Sequence, residues 1–363
     1  MIITLIILTI IILLIIIFNK RAVPAFLYHQ VNPISNVSPE LFEEHLKVIK
    51  EYKMNTITIS EFYNKEVPTN SILLTFDDGY FDNYKYVFPL LKKYNMKATI
   101  FLNTLYIMDK RETEPEIKDN NTVNLEAMKE YIKSGKATIN QYMSWEEIKE
   151  MYDSSLIDFQ AHSHKHMAMF VDTKIEGLTN KNRMEAPELY LYGELEDDFP
   201  SFPKRGEYTG KAILIKKEFF KIFKEFYEKN IENKVTDKNE ILKKSQEFID
   251  ENKEYFSIES EAEYRKRIEE DFSENKKIIE KNLGNEVKFF CWPWGHRSKE
   301  TIKVLKELGV VGFISTKKGT NSMTANWNMI RRIELRNYSV KKFKINLLLA
   351  RNLILGKIYG WIS

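Results

Sequence analysis

The strongest constraint on the fold is a series of short apolar segments that alternate with longer amphipathic ones. Residues 72–74 (Ile-Leu-Leu) are consecutive apolar residues, as expected of a strand that is buried on both faces. Similar short segments at 25–29, 98–102 and 157–161 are separated by stretches with helical periodicity. Strands that alternate with helices in this way predict parallel βα units and hence an α/β fold.

The alternation is interrupted between residues 171 and 258. Strand-like segments resume after it, at 287–291, 310–314 and 330–335. We therefore predict one catalytic domain over residues 23–340 with a largely helical insertion at about 171–258. The insertion begins with aromatic-rich loops, from Tyr190 to Tyr208, and continues in amphipathic helices. It is either a decoration packed on the core or, as we hypothesise, a lid whose aromatic stretch sets substrate choice.

The composition excludes several classes of protein. Of the 363 residues, 43% are hydrophobic and 13% aromatic, which suffices for a large core and excludes wholesale disorder. The 55 Lys and Arg residues are balanced by 52 Asp and Glu residues, which argues against a nucleic-acid binder that works by basic excess. The single cysteine, Cys291, excludes an intrachain disulfide and a cysteine-based zinc ribbon.

The first 18 residues form a separate apolar segment. Only Thr4 and Thr9 interrupt it, and the first basic residues, Lys20 and Arg21, follow it. With the usual helical rise, a helix of this length spans about 27 Å, close to the hydrocarbon thickness of a bilayer. A signal peptide needs a basic start and a small-residue cleavage site, and neither is evident. We therefore predict an uncleaved, single-pass membrane anchor at residues 1–18.

Two adjacent carboxylates stand where a buried strand is expected to end. Asp77 and Asp78 follow Thr75-Phe76 and precede Gly79. Two like charges at such a position resist joint ionisation, and a bound cation resolves the conflict. The alternative is a turn in which the carboxylates cap backbone amides.

A histidine cluster follows another predicted strand. Three of the six histidines lie within five residues, at positions 162, 164 and 166. We expect the chain to form a helical turn here, which would place His162 and His166 on one face and direct His164 away. Because strands of a parallel sheet end at one edge, these two imidazoles should lie near Asp78. Two histidines and one carboxylate form a three-ligand site for a divalent metal, whereas a solvated surface cluster is the alternative.

These segments resemble motifs of a known family. Thr75-Phe76-Asp77-Asp78-Gly79 and His162-Ser163-x-x-His166 are similar to the first two motifs of the polysaccharide deacetylases, carbohydrate esterase family four, which carry the NodB homology domain. Phe290-Cys291-Trp292-Pro293-Trp294-Gly295 resembles a variant of the third. Four further segments resemble the branch that acts on poly-N-acetylglucosamine: Leu27-Tyr28-His29, Ser38-Pro39-x-x-Phe42, Met143-Ser144-Trp145 and Arg332-Ile333. The likeness covers roughly residues 23–170 and 260–340 and leaves out the insertion.

The resemblance implies a distorted (β/α) barrel of about seven strands and hydrolytic removal of acetyl groups from an N-acetylated sugar. It implies that Asp78, His162 and His166 bind a divalent metal, usually Zn²⁺. Asp77 would then be the general base that deprotonates the attacking water. The backbone N–H of Trp294 would help to hold the oxyanion.

The sequence departs from the family pattern in two places, at the cation that orients the base and at the acid that protonates the leaving amine. The positions of two arginines in the fuller third motif are held by Lys288 and Cys291, so another residue must orient the base. Arg332 could supply that cation, although a surface ion pair is the more common use of an arginine. No histidine follows His296, so the acid that protonates the leaving amine is His29, His296 or solvent. We prefer His29 because it ends a strand and should face the site.

Two tryptophans flank Pro293 near the predicted site. Aromatic faces stack on sugar rings, so Trp292 and Trp294 are predicted substrate contacts together with Arg332, although core packing is expected for one of the two tryptophans. Cys291 is interpreted as a small core residue, because nothing indicates an activated thiol.

The sequence thus predicts a membrane-anchored, metal-dependent deacetylase of N-acetylhexosamine units in a cell-envelope polysaccharide or glycolipid. Two alternatives remain open. One is a catalytically silent carbohydrate-binding protein with the same fold, and the other is an amidase or esterase that acts on a non-sugar substrate. The predicted partners are the glycan and the membrane, without nucleic acid.

The side of the membrane is predicted from conflicting signals. Lys20 and Arg21 directly after the anchor would place the catalytic domain in the cytoplasm by the positive-inside rule. The basic, apolar tail at 341–363 would also suit an anionic leaflet, if it is not a helix that covers the core. The family resemblance implies an outward-facing domain, and we predict the outward orientation.

Overall fold

The computed structural model describes residues 2–19, 21–180, 196–336 and 339–362. Its strands are β1 (Ala25–Tyr28), β2 (Asn55–Ile57), β3 (Ser71–Asp78), β4 (Ala98–Asn103), β5 (Ile157–Ser163), β6 (Ala168–Phe170), β7 (Gly177–Leu178), β8 (Pro200–Ser201), β9 (Lys204–Gly206), β10 (Ile213–Ile215), β11 (Phe256–Ile258), β12 (Phe289–Cys291), β13 (Gly312–Ile314) and β14 (Ile333–Glu334). Its α-helices are α1 (Ile2–Asn19), α2 (Pro39–Glu51), α3 (Ile59–Tyr63), α4 (Phe88–Tyr94), α5 (Asn120–Ser134), α6 (Trp145–Asp153), α7 (Glu218–Asn230), α8 (Lys238–Glu251), α9 (Glu261–Leu283), α10 (Lys299–Glu307), α11 (Val340–Ala350) and α12 (Leu353–Ile362).

Eight of the described strands form one parallel sheet in the order β13-β12-β5-β4-β3-β1-β14, with β2 beside the first half of β3. The two edges of this sheet approach each other, because Ile314 at the end of β13 forms a parallel bridge with Ile330, just before β14. The Ser315 N–H also donates to the Ile330 carbonyl at 2.9 Å. The sheet therefore curls into an incompletely closed barrel with helices outside it, which confirms the predicted distorted (β/α) barrel, with eight described strands in place of about seven.

The alternation along β3 determines where its carboxylates lie. Ile72, Leu74 and Phe76 pack on the outer face, in the core between the sheet and the helices. Leu73 belongs to the apolar cluster of the barrel interior. Side chains alternate between the faces of a strand, so Asp77 shares the inner face with Leu73. A carboxylate is thus directed into the barrel, where it needs a partner.

The helix termini are formed by local sequence motifs. The Ser38 hydroxyl accepts from the Leu41 N–H, with Pro39 in the first helical position of α2. Ser144 and Ser260, each three residues before a glutamate, form capping boxes at the start of α6 and α9. The segment from 81 to 94 is not one α-helix, because a π-helical turn at Asn83–Val87 precedes α4.

The insertion contains more β-structure than predicted. Its described residues include α7 and α8, and three antiparallel strand pairs join β6 to β9, β7 to β8 and β10 to β11. It packs around a small core of its own, formed by Phe170, Ile175, Phe199, Phe202, Phe219, Phe220, Phe223 and Ile249. Tyr190 and Tyr192 of the predicted aromatic stretch lie outside the described residues. A separate apolar core supports the interpretation of a packed decoration.

The C-terminal tail contains two helices with different surroundings. In α11, Phe343 and Leu347 are buried in the main core, and the Phe343 ring lies 4.9 Å from that of Phe26. This helix therefore covers the core, which was one of the two alternatives predicted for the tail. In α12, Ile358 and Trp361 are exposed.

The N-terminal segment is helical over Ile2–Asn19. Its described side chains are those of residues 4–11, 13 and 14. Within the described part of the chain, no helix was found with the length and apolar character needed to cross a membrane.

Candidate active site

Asp77 is held by a buried arginine from the far end of the chain. Arg332 Nη1 and Nη2 lie 2.7 Å and 2.8 Å from the two carboxylate oxygens of Asp77, which is a bidentate ion pair. Arg332 is 0% exposed and Asp77 is 2% exposed. Burial alone would raise the pKa of Asp77, but the charges of Arg332 and His162, together with the hydrogen bonds from Arg332, outweigh it and hold that pKa below its usual value. Asp77 is therefore ionised at neutral pH.

The other donors of Arg332 fix its position inside the barrel. Its Nε donates to the Ser315 carbonyl at 3.0 Å, and its Nη1 and Nη2 reach Thr75 Oγ1 and Cys291 Sγ at 3.2 Å and 3.0 Å. The predicted roles of Arg332 as a substrate contact or a surface ion pair are therefore wrong. The residue cannot reach substrate because it is wholly buried, and it orients Asp77 in place of the missing third-motif arginine.

Asp78 and the two predicted histidine ligands meet at the carboxyl end of the sheet. His162 Nε2 and His166 Nε2 lie 3.4 Å and 3.6 Å from Asp78 Oδ1. One ligand atom from each of the three residues lies within 4.8 Å of the others. The Asn103 amide donates to Asp78 Oδ1 at 2.9 Å, and His162 Nδ1 hydrogen-bonds to the Cys291 carbonyl at 2.8 Å. This last bond turns Nε2 of His162 toward Asp78.

The donor set fits a divalent metal ion. Two imidazole nitrogens and one carboxylate oxygen converge, and a backbone carbonyl fixes one ring, as is usual for histidine ligands. Burial lowers the pKa of His166 to about 4, although Asp78 acts in the opposite direction, so this ring is neutral and able to coordinate. Asp77, His162 and Cys291 form a second possible group, but both oxygens of Asp77 are already bound by Arg332. The group of Asp78, His162 and His166 is therefore the better metal site.

His162 and Asp78 form a coupled pair. Burial opposes protonation of His162, but its contacts with Cys291 and Asp78 raise its pKa well above the usual value. Burial would raise the pKa of Asp78, but the hydrogen bond from His162 and the charge of His166 hold it well below its usual range. Because metals bind the neutral imidazole, a cation would displace the proton of His162.

The histidines are not brought together by a helical turn, so that prediction is wrong. His162 lies within β5, and His166 follows in a loop with φ of 53°, in the left-handed region. The His166 N–H donates to the Ser163 hydroxyl at 2.7 Å, which tightens the loop. The imidazoles meet because the chain reverses after the strand. His164 points elsewhere, as predicted, since its Nδ1 lies 2.9 Å from Thr104 Oγ1.

The two tryptophans of the third motif have different environments. Trp292 is 1% exposed and stacks on Phe313 with ring centroids 5.6 Å apart. It borders the cavity, but almost none of its surface is exposed, so it offers no aromatic face to a sugar, in line with the expectation that one tryptophan packs in the core. Trp294 is 42% exposed, and its ring lies 5.1 Å from that of His166. Trp294 is therefore available to a substrate beside the metal site.

A tight turn presents Trp294. Trp294 has φ of 60° and Gly295 has φ of 65°, so two successive residues adopt the left-handed conformation. A Cβ atom on Gly295 would lie 2.1 Å from Thr316 Oγ1. Glycine is therefore required at position 295 by both its conformation and the close approach of the neighbouring loop.

The two candidate acids differ in position. His29 lines the cavity, with its Nδ1 3.9 Å from Glu334 Oε1. His296 accepts a hydrogen bond from the Gly206 N–H at 2.9 Å and does not line the cavity. Of the two, His29 is placed to reach a leaving group.

The metal-site residues lie in a cavity of about 660 Å³. One wall of this cavity was not predicted from the sequence, which indicated no site residue between positions 103 and 142. The first turn of α5 contributes Asn120, Asn121 and Asn124 to this wall. The Tyr80 hydroxyl donates to Asn120 Oδ1 at 2.5 Å. The run of asparagines after Asp119 was the available signal, because amide side chains suit polar ligands.

The described residues of the insertion, 171–180 and 196–258, do not line the cavity, so the hypothesis that the insertion overhangs the site as a lid finds no support in this part of the structure. It contacts the site from the side, where Gly206 packs against the loop of Trp294 and His296.

Comparison with known proteins agrees with this geometry. A family profile described as "Polysaccharide deacetylase" matches residues 64–188 and 228–313. More than half of the chain is covered, and the chain belongs to the polysaccharide deacetylase family. The unmatched residues 189–227 lie within the insertion.

Two similar proteins show how far the likeness extends. The Bacillus subtilis (strain 168) protein YxkH is 36% identical over 105 residues, which are 27% of this chain and 38% of that protein. A poly-beta-1,6-N-acetyl-D-glucosamine N-deacetylase of Staphylococcus aureus (strain N315) is 29% identical over 133 residues, 36% of this chain and 37% of that protein. The chain thus spans less than two fifths of the length of either relative.

A solved structure supports the fold. A de-N-acetylase from Aggregatibacter actinomycetemcomitans superposes with a TM-score of 0.56 at 17% identity, over 88% of this chain and 98% of that one. At this identity the likeness is evidence for the fold alone.

Proposed function

We propose that this protein is a metal-dependent hydrolase that removes acetyl groups from N-acetylhexosamine units of a glycan. The observation that carries the proposal is the ionised, bidentately held Asp77 adjoining the cluster of Asp78, His162 and His166 in one cavity. A base beside a metal site is what amide hydrolysis requires. The family supports deacetylation, and the similarity to the poly-beta-1,6-N-acetyl-D-glucosamine N-deacetylase of Staphylococcus aureus supports an N-acetylglucosamine polymer as substrate.

The residues of the chain divide the reaction between them. A divalent cation, Zn²⁺ by family likeness, would act as a Lewis acid on the acetyl carbonyl and make a water molecule more acidic. Asp77 removes a proton from the attacking water, and Arg332 keeps this carboxylate ionised and oriented. The backbone N–H of Trp294 donates to the oxyanion. His29 gives a proton to the departing amine, and the C–N bond breaks to release acetate and a free amino sugar.

The cavity is suited to a neutral sugar chain. The side chains of Asn120, Asn121 and Asn124 offer both donors and acceptors, as hydroxyl and acetamido groups require. Trp294 offers an exposed aromatic face at the metal end. We propose that the reacting sugar lies on Trp294 and that neighbouring sugars contact the asparagine wall.

The catalytically silent alternative loses one of its two arguments. The missing third-motif arginine and the missing late histidine both favoured it, and Arg332 now supplies a bidentate partner to Asp77. A binding module has no use for a buried base held next to a metal site.

The first prediction concerns the class of substrate. Incubated with N-acetylglucosamine oligomers, the full chain should release acetate and an equal amount of free amine. Simple acetanilide-type amides and acetate esters should react slowly, because they lack the sugar contacts that position the amide. Enzymatic determination of acetate beside a colorimetric assay of amines makes the comparison. Faster turnover of the non-sugar amides would overturn the substrate class and favour a general amidase.

We also propose that residues 1–18 attach the protein to the membrane with the catalytic domain outside the cytoplasm. The continuous apolar sequence supports attachment, and a polysaccharide substrate supports the outward side. Protease added to intact cells should digest the domain. Full protection before lysis, with digestion afterwards, would contradict the outward orientation and favour a glycolipid precursor as substrate.

A further inference from the structure

The backbone N–H groups of the loop that carries His166 are bound by side chains. Four consecutive backbone N–H groups each donate to a side-chain oxygen. His164 and Lys165 donate to Asp271 Oδ1 and Oδ2 at 2.9 Å and 3.1 Å, His166 donates to Ser163 Oγ at 2.7 Å, and Met167 donates to Glu207 Oε1 at 2.9 Å. In a helix or a sheet these N–H groups would donate to backbone carbonyls. Here they donate to side chains, so the conformation of the loop depends on those side chains.

The carbonyls of the same loop are bound as well. Asn275 Nδ2 donates to the Ser163 carbonyl, and the Tyr106 hydroxyl donates to the Lys165 carbonyl at 2.9 Å. The backbone N–H groups of Leu105 and Glu207 donate to the carbonyls of His164 and Met167, each at 3.0 Å. The loop is thus fixed on both sides.

The side chains that hold the loop come from α9 and from the insertion. Asp271 and Asn275 are four residues apart and face the loop from α9, whereas Glu207 follows β9. The Tyr208 hydroxyl donates to Asp271 Oδ1 at 2.5 Å, which orients that carboxylate. We call Glu207, Tyr208, Asp271 and Asn275 the loop clamp. All four are buried.

The clamp has a clear physical task. His166 occupies the left-handed region, which residues other than glycine adopt at a cost in energy. A free loop would leave this conformation and move the imidazole away from Asp78. Because Asp271 alone binds two amides of the loop, its loss should release the reversal that brings His166 to the site.

We propose that the loop clamp positions His166 and thereby sets the affinity of the chain for its metal ion. The clamp gives the edge of the insertion a role at the metal site, although its described residues lie outside the substrate cavity. The inference rests on the proposed metal site, and it concerns metal binding without regard to substrate.

The test is the Zn²⁺ affinity of the full chain, measured by competition with a chromophoric chelator. Asp271→Asn, which keeps the size of the side chain but replaces one acceptor oxygen by a donor, should weaken Zn²⁺ binding by about 10- to 100-fold, the range for residues that orient metal ligands. Tyr208→Phe, which removes only the hydroxyl, should weaken it by about tenfold. Turnover at saturating Zn²⁺ should recover in both, because Asp77 and Arg332 are untouched.

Ser260→Ala is the matched control. Ser260 caps the N-terminus of α9, far along the helix from Asp271, and its loss should lower the melting temperature without changing Zn²⁺ affinity. If Asp271→Asn does not fold, Tyr208→Phe decides the question. Unchanged Zn²⁺ affinity in the folded variants would overturn the clamp, whereas a wild-type chain that binds Zn²⁺ tightly and releases no acetate would overturn the proposed function instead.

Discussion

Asp77→Asn should reduce acetate release by about 100- to 10,000-fold, the usual contribution of a general base, while the purified variant keeps its metal. The amide cannot accept the proton of the attacking water. The ligands Asp78, His162 and His166 are unchanged, so the cation should remain. Metal content by plasma emission spectroscopy, measured on the preparation used for kinetics, separates the loss of a base from the loss of the ion.

Two ligand variants serve as the comparison. His162→Ala and Asp78→Ala each remove one of three ligands, so both should lose metal together with activity. An Asp77→Asn protein that kept most of its activity would show that another group is the base. An Asp77→Asn protein without metal would place Asp77 among the ligands.

Arg332→Met should be among the most destabilising single changes in the chain. It leaves the Asp77 carboxylate buried without a cation, which costs about 3–5 kcal/mol in the free energy of unfolding for ion pairs of this kind. Urea denaturation of the variant measures this loss. Arg265→Met, which removes an arginine from the exposed ion pairs with Glu269 and Glu307, is the control and should leave the urea midpoint almost unchanged.

The same variant should change the pH dependence of turnover in a defined direction. Arg332 lowers the pKa of Asp77 and burial raises it, so removing the guanidinium must raise this pKa. A base with a higher pKa is protonated over more of the acidic range, and the acidic limb of the kcat/KM profile should move to higher pH. Arg332→Lys, which keeps the charge but not the bidentate geometry, should show a smaller movement. An acidic limb that stays in place in Arg332→Met would contradict the role given to the ion pair.

The helix caps and the positions of the two carboxylates could be predicted from the sequence because they depend on local patterns. Ser144 and Ser260 stand three residues before a glutamate at the start of an apolar periodic stretch, and both capping boxes formed. Asp77 and Asp78 at the end of an apolar run placed one carboxylate inside the barrel and the other at the metal cluster, because side chains alternate along a strand.

The parts that were not predictable depend on contacts between distant segments. Arg332 and Asp77 are 255 positions apart in the sequence, and the pairing of β14, which directly follows Arg332, with β1 brings the guanidinium to this carboxylate. Trp292 is buried and Trp294 is exposed because the chain makes a left-handed turn at Trp294. A tryptophan in the sequence does not indicate such a turn. The four-residue spacing of His162 and His166 predicted a helical turn, but a reversing loop can have the same spacing. The conformation of this loop depends on hydrogen bonds to Asp271 and Glu207, which are distant in sequence.

We propose that a metal ion held by Asp78, His162 and His166 allows Asp77 to drive hydrolysis of a sugar acetamide. This is tested most directly by acetate release from N-acetylglucosamine oligomers by the full chain before chelation, after removal of metal, and after stoichiometric addition of Zn²⁺. We expect acetate release to be lost on chelation and to return with one equivalent of Zn²⁺ per chain. Undiminished release by metal-free protein would show that the reaction does not depend on this site.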